Sequence, residues 1–423
     1  MVAVAAVTVA IGISAGLGGM AVALLLHFIQ HVAYGYGLES PLPAPTFLQG
    51  VSASSPTRRV MVLTLCGLVA GIGWWALRGR GRPVVGIGPA VRPDGPPMPA
   101  LETVIDALLQ LVTVALGSPL GRETAPRQVG AVLAGWLARG AGLSPEDCRR
   151  LIACGAGAGL AAVYNVPLGG ALYTLEVLLG GFSAASVVPA VATSVIAAQV
   201  AWIGLGNETL YEVPPFGTGR SLVAWSIVAG PWLGVVAYAF ARGVETARAR
   251  APRGARLVPW CLVTFLVIGL VATRYPQILG NGRGPAQLGF GSQITSRLAA
   301  LLLVLKAAAV TASFRAGAGG GLLTPSLALG ALLGSVLGAL WSLVWPEAPP
   351  GAFAVVGAAA FLGTTEKMPV TAVVLVLEFT RVGHDALFPI LLAMSGAAAA
   401  GLACTRWEAR QTSERERRRR SGS

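Results

Sequence analysis

Residues 118–140 read SPLGRETAPRQVGAVLAGWLARG, and Arg122, Glu123 and Arg127 stand there at the opening of an otherwise apolar helix. Pro126 marks the first turn, because a proline just inside a helix start loses only an N–H that had no intrahelical partner. The remaining free N–H groups of such a turn, with the positive end of the helix dipole, attract an anion without any charged side chain. A carboxylate at that place is either an ordinary dipole-favoured residue or a competitor for the amides a mobile anion would use. What surrounds the segment decides between the two.

The surroundings are lipid-like. Of 423 residues 54% are hydrophobic and 12% charged, with mean hydropathy +0.70, whereas soluble domains carry about 25% charged residues. Candidate spans fall near 3–30, 60–78, 101–117, 150–164, 167–180, 183–204, 221–242, 257–273, 297–314, 322–345, 352–363, 369–380 and 384–405. A crossing takes about 20 apolar residues, so several of these are too short to cross alone. Paired short segments interrupted by Gly and Pro point to a transporter of broken helices, since irregular backbone survives at membrane depth only against protein or a watery cavity. A charge at the bilayer centre costs roughly 2.5–3.5 kcal/mol on insertion scales, which makes an intramembrane acid a functional candidate. Glu123 is therefore read as a gate: its carboxylate takes the anion's place, and protonation releases it. Arg122 raises the local positive potential or snorkels, and Arg127 is expected to snorkel to the interface.

The chain repeats itself. YNVPLGGALYTLEVLL puts Pro167 nine residues before Glu176, and EKMPVTAVVLVLEFT puts Pro369 nine residues before Glu378. Upstream, Gly121 to Pro126 and Gly320 to Pro325 each lead a glycine turn into an apolar helix, and Pro126 and Pro325 lie 199 residues apart against 202 for Pro167 and Pro369. Two repeats follow, about 60–204 and about 257–403, expected in inverted topology with a site where they meet near the midplane. The alternative for Gly330, Gly334 and Gly338 is close helix packing alone. Glu176 and Glu378, as twins, are read first as structural acids that accept backbone N–H groups and second as acids with a proton role.

Charge and cysteines narrow the function. The net charge is +13, yet the basic residues cluster beside apolar spans: Arg78, Arg80 and Arg82; Arg242, Arg248, Arg250, Arg253 and Arg256; and Arg417 to Arg420. Position thus argues for cytoplasmic flanks under the positive-inside rule and against nucleic acid; Arg58 and Arg59 do not fit, because the 40–59 loop would face outward. Five scattered cysteines suggest neither a disulfide framework nor a metal site. No nucleophile set or HExxH arrangement points to an enzyme, and no cofactor is expected. The first 34 residues read as a retained span, and 406–423 as a basic cytoplasmic tail with no soluble regulatory domain. Lys306 and Arg315 are candidates to draw anions to a vestibule, to snorkel or to pair with an acid. Thr364 to Lys367 form a polar break, first a helix connection and second a pore-facing track.

GRETAP resembles the GREGP motif of the CLC chloride channel and transporter family. GAGAGLAAVYNVPLGGALYTLEVLL, AGAGGGLLTPSLALGALLG and PVTAVVLVLEFT are similar to later motifs of that family in the same order, and GNETLYEVPPF at 206–216 is similar to a loop of its bacterial members. The resemblance covers roughly 3–405. It implies an all-α membrane protein, a bundle of tilted and broken helices in a transmembrane domain over 1–405, sited in the cell membrane as a multi-pass homodimer packed through 167–204 and 369–403. It implies passage of chloride or a similar small anion, with Glu123 as the external gate and Gly121, Arg122, Glu123, Thr124, Ala125, Gly321, Leu322, Leu323 and Thr324 along the anion path. Where the family has GSGIP this chain has VGIGP, so Gly86 and Gly88 stand in the anion-contacting stretch without a serine hydroxyl. Leu323 replaces a common aromatic, no tyrosine follows Tyr275, and TRWEARQT at 405–412 occupies the region of the family's coordinating tyrosine. Val177 stands where the family's exchangers carry an inner proton acid. A fluoride/proton antiporter of the same fold and a transport-silent homologue are the alternatives; protons are partners only if transport is coupled.

Overall fold

The computed structural model describes residues 2–36 and 46–421, so the expected outward loop over 40–59 lies partly outside the described residues. So do the side chains of Arg80 and of the basic run Arg417 to Arg420. Among the described residues all regular structure is helical, with one isolated antiparallel bridge between Gly121 and Gly321. Eight helices there are long and apolar enough to cross a bilayer, and Pro167–Leu179, Pro350–Thr365 and Pro369–Thr380 are apolar but shorter.

Burial identifies the centre. In the span Leu323–Trp341, 78% of the apolar window is buried, against 33–44% in the other seven long spans, and together with the shorter, almost wholly buried Pro350–Thr365 it forms the centre of the bundle. It packs on Pro350–Thr365 through glycine: a Cβ at Gly330 would come within 2.6 Å of the Gly357 carbonyl oxygen. The first half uses the same device. Thr124–Gly140 crosses Pro145–Tyr164 at Gly130 and Gly155, where any Cβ would run into the facing main chain. Close packing is thus one real role of these glycines.

Backbone conformation matches across the halves as the sequence does. Asn165 and Lys367 both hold the left-handed conformation at φ 55°, and each stands two residues before a proline that starts a helix. The residues between, Val166 (φ −131°, ψ 68°) and Met368 (φ −136°, ψ 64°), share one non-helical conformation. The halves differ just beyond: Tyr173–Leu179 widens into a π-helix, while Pro369–Thr380 stays α-helical.

Some elements were not foreseen. Phe47–Ala53, Ile87–Ala90 and Arg283–Phe290 are short helices in stretches assigned no structure, whereas Thr124–Gly140 is the helix expected to open at GRETAP. The last helix runs from Leu387 to Ser421, so the polar stretch after 405 is helical. Arg59, anomalous by charge, is buried in the first turn of the span Pro56–Gly79 and donates to the carbonyls of Val51 (2.8 Å) and Ala272 (3.1 Å), near the ends of two other helices.

Candidate functional site

The two glycine-led turns meet face to face. The Gly121 N–H donates to the Gly321 carbonyl at 2.8 Å, and the Gly321 N–H returns a bond to Gly121 at 3.0 Å. The absence of a Cβ on either glycine leaves room for the Glu123 carboxylate where it now lies.

Glu123 is 0% exposed, and its carboxylate reaches across to the other half. The Leu323 N–H donates to Oε1 at 2.7 Å, and the Thr324 hydroxyl lies 3.2 Å from Oε2. Leu323 is the first residue of the central helix, whose opening N–H groups have no intrahelical acceptor. The carboxylate therefore sits where a small anion would find amides, hydroxyl and dipole together. Glu123 is also the N-cap of Thr124–Gly140 but makes no side-chain cap there, so it serves the opposite helix rather than its own. Among the described residues no ion pair ties it down. The Tyr164 and Thr324 hydroxyls are 3.1 Å apart, and the Arg122 guanidinium lies 5.2 Å from the centre of the Tyr164 ring.

Of the residues expected along the path, Gly121, Glu123, Gly321, Leu323 and Thr324 are joined directly, Leu322 caps the central helix, and Ala125 is buried beside Thr124. Gly86 and Gly88 are not brought to this cluster by any hydrogen bond among the described residues. Gly86 caps the short helix Ile87–Ala90, whose Ile87 packs with Ala131, Ile152 and Ala156.

Two charged residues, Arg127 and Lys306, differ from expectation. Arg127 does not snorkel: at 8% exposure it donates to the Glu123 carbonyl (2.9 Å), the Tyr173 hydroxyl (2.8 Å) and the Thr124 hydroxyl (3.1 Å). Its charge thus stands behind the gate position. Lys306 neither snorkels nor pairs with an acid; at 1% exposure it donates to the carbonyls of Ile278 (2.8 Å) and Gly280. Arg315 lies over the Trp260 ring, 4.6 Å from its centre.

Glu176 and Glu378 accept backbone N–H groups, each from the other half. Glu176 takes those of Val370 (3.1 Å) and Thr371 (2.6 Å), with the Thr371 hydroxyl at 2.6 Å. Glu378 takes those of Leu168 (3.0 Å) and Gly169 (2.7 Å). Each acid thus caps the proline-led helix of the opposite repeat.

One acid was passed over. Asp106 accepts from the Trp74 indole (2.8 Å), Gln110 (2.7 Å) and Gln128 (2.9 Å), a polar knot that Gln110, one turn on in the same apolar run, could have signalled. Glu366, in the polar break, lies within electrostatic reach of Arg127, Glu123 and Arg248. The 405–412 stretch goes elsewhere: Glu408 pairs with Arg242 and accepts from Tyr238, on the helix Arg220–Ala249.

Such a centre, two broken helices from two halves meeting by main chain with one acid seated on the amides, belongs to the class of membrane transporters built from repeats. Residues 61–402 match the family described as voltage gated chloride channel, and the chain belongs to that family. It is 30% identical over 311 residues, 70% of each chain, to a ClcB-like chloride channel protein of Ralstonia nicotianae. It is 30% identical over 365 residues to the voltage-gated ClC-type chloride channel ClcB of Escherichia coli, covering 80% of this chain and 82% of that one. The fold is shared with a slow cyanobacterial Cl−/H+ antiporter (TM-score 0.83, 19% identity, 95% of each chain) and with a CLC-type fluoride/proton antiporter (TM-score 0.66, 22% identity, 94% of each chain).

Proposed function

We propose that this multi-pass protein of the cell membrane carries chloride, and that Glu123 gates it by occupying the anion's place on the central helix. The observation that carries the reading is the buried carboxylate bound to the Leu323 N–H and the Thr324 hydroxyl with no ion pair among the described residues. A negative ion bound there needs donors and dipole rather than a fixed countercharge, and chloride can accept the same two bonds. Once protonated, the carboxyl loses the charge that holds it on the helix start, so it leaves and the anion enters. Flux therefore rises as pH falls. The chloride assignment draws on the two chloride channel relatives, each aligned over two thirds of the chain or more.

The domain reading stays within this proposal. Repeats over about 60–204 and 257–403 are supported by the paired glycine bridge, the paired left-handed residues and the exchanged acids. Inverted topology fits the antiparallel sense of the bridge. The apolar faces at 167–204 and 369–403 leave Leu168, Val188, Ile203, Val370 and Phe388 exposed, and a second copy packed there makes the homodimer. Light scattering in mild detergent tests it: a monomer mass removes the dimer.

The decisive measurement is anion efflux from liposomes loaded with chloride or with fluoride, across a pH series. Chloride efflux exceeding fluoride efflux and growing with acidity supports the proposal. Preference for fluoride gives the antiporter alternative, and no efflux of either gives the silent homologue. Proton movement recorded in the same liposomes separates coupled exchange from passive flow; with Val177 in the inner position, Glu366, which interacts electrostatically with Glu123, is the acid to test as a substitute for the missing carrier.

A further inference from the structure

Two adjoining cavities of about 760 and 430 Å³ open where the Gly317–Gly320 loop meets the connection after helix Arg220–Ala249, and they share Ala251, Pro252 and Arg253. Their walls carry six guanidinium groups, from Arg78, Arg248, Arg250, Arg253, Arg256 and Arg315. Among the described residues none of the six is ion-paired with a carboxylate. Instead, Arg248 lies 3.9 Å from the centre of the Phe314 ring, Arg315 lies over Trp260, and Arg78 donates to the Gly317 carbonyl at 3.0 Å.

A basic flank beside a membrane span is ordinary, and the positive-inside rule accounts for its presence. It does not account for the convergence of three separate stretches, at 78, 248–256 and 315, on one concave wall. A monovalent ion does not require such density or such room, since cavities of about 300–1,000 Å³ hold whole small molecules. Guanidinium forks match pairs of phosphate oxygens, and stacking on aromatic rings holds two of them in place.

We propose that these joined cavities bind a polyvalent phosphate-bearing anion, either a soluble polyphosphate or an anionic phospholipid headgroup. Bound there, it lies against Gly317–Gly320, the loop that leads into the Gly321–Leu323 turn, and closes the approach to that turn from this side. The binding stands apart from the transport reading; the closing rests on it.

Binding is read on the full chain in nanodiscs of neutral lipid with labelled pyrophosphate, and separately by counting cardiolipin retained in native mass spectrometry. The probe variant is the exposed pair Arg253→Gln with Arg256→Gln. The control is Arg139→Gln with Arg149→Gln, which removes equal charge elsewhere. The proposal expects binding in at least one arm, weakened tenfold or more by the probe variant and unchanged by the control. Pyrophosphate binding assigns a soluble ligand, and cardiolipin retention alone assigns the headgroup. No binding in either arm, or equal loss in both variants, overturns the site. Binding to chloride-conducting liposomes that leaves efflux undiminished overturns the closing.

Discussion

The two halves of the molecule place acids in two ways. Glu176 and Glu378 occupy matching positions, and each caps the proline-led helix of the other half with two backbone N–H bonds. Glu123 has no twin. At the matching turn of the second half stand Leu323 and Thr324, which supply the donors that the carboxylate accepts. A symmetric acid satisfies helix-start amides that would otherwise be orphaned, so it belongs to the frame. An unsymmetric acid on amides that an anion can satisfy equally well is free to leave.

The largest effects should come from breaking the symmetric pair. Hydrogen bonds to a charged group contribute about 1.5–3 kcal/mol each, so Glu176→Ala and Glu378→Ala should each destabilise the fold by about 3 kcal/mol or more. Thermal unfolding of the purified protein reads this as two comparable downward shifts of the midpoint. If either variant kept its midpoint while the pH dependence of efflux changed, the division between framing and gating acids would fail.

Next in size is the gate. Glu123→Gln keeps the shape and can still accept from the Leu323 N–H, but it has no charge to lose. Efflux should become independent of pH, removing an acid-to-neutral ratio expected to reach about tenfold, equivalent to 1.4 kcal/mol, while the unfolding midpoint moves little. A variant that retains the wild-type pH profile rules Glu123 out as the gate. A third variant sharpens the coupling question: Glu366→Gln should lower proton movement at least severalfold while leaving chloride efflux largely intact, and equal loss of both would make Glu366 a structural residue.

Much of this frame was legible in the chain because it rests on local chemistry. Glycine and proline mark the turns at Gly121, Gly321, Pro167 and Pro369, and their spacing alone exposes the repeat. The twin acids could be read as structural because they are twins. Arg127 was misread because its Tyr173 partner lies 46 residues away, and nothing local signals that a buried hydroxyl will meet it. The same holds for Lys306, whose carbonyl partners belong to a turn 26 to 28 residues upstream. The convergence of Arg78, Arg248 and Arg315 on one wall is likewise a product of tertiary packing. The helical continuation after 405 was not legible because hydropathy falls there and polar residues carry the helix on.

The smallest and most diagnostic change is Thr324→Val. It removes the hydroxyl shared between Glu123 Oε2 and the Tyr164 hydroxyl and leaves the Leu323 N–H bond in place. One such bond is worth about 0.5–1.5 kcal/mol, and a pH unit corresponds to 1.36 kcal/mol. The hydroxyl holds the charged carboxylate on the helix start, so its loss favours the displaced state and less acid is needed to open the path. The pH–efflux curve should therefore move toward alkaline pH by up to about one unit with its shape retained. Moving toward acid would mean that Thr324 holds the transported ion more tightly than it holds Glu123. In that case the second half would supply the anion's main contact rather than merely the seat of its gate.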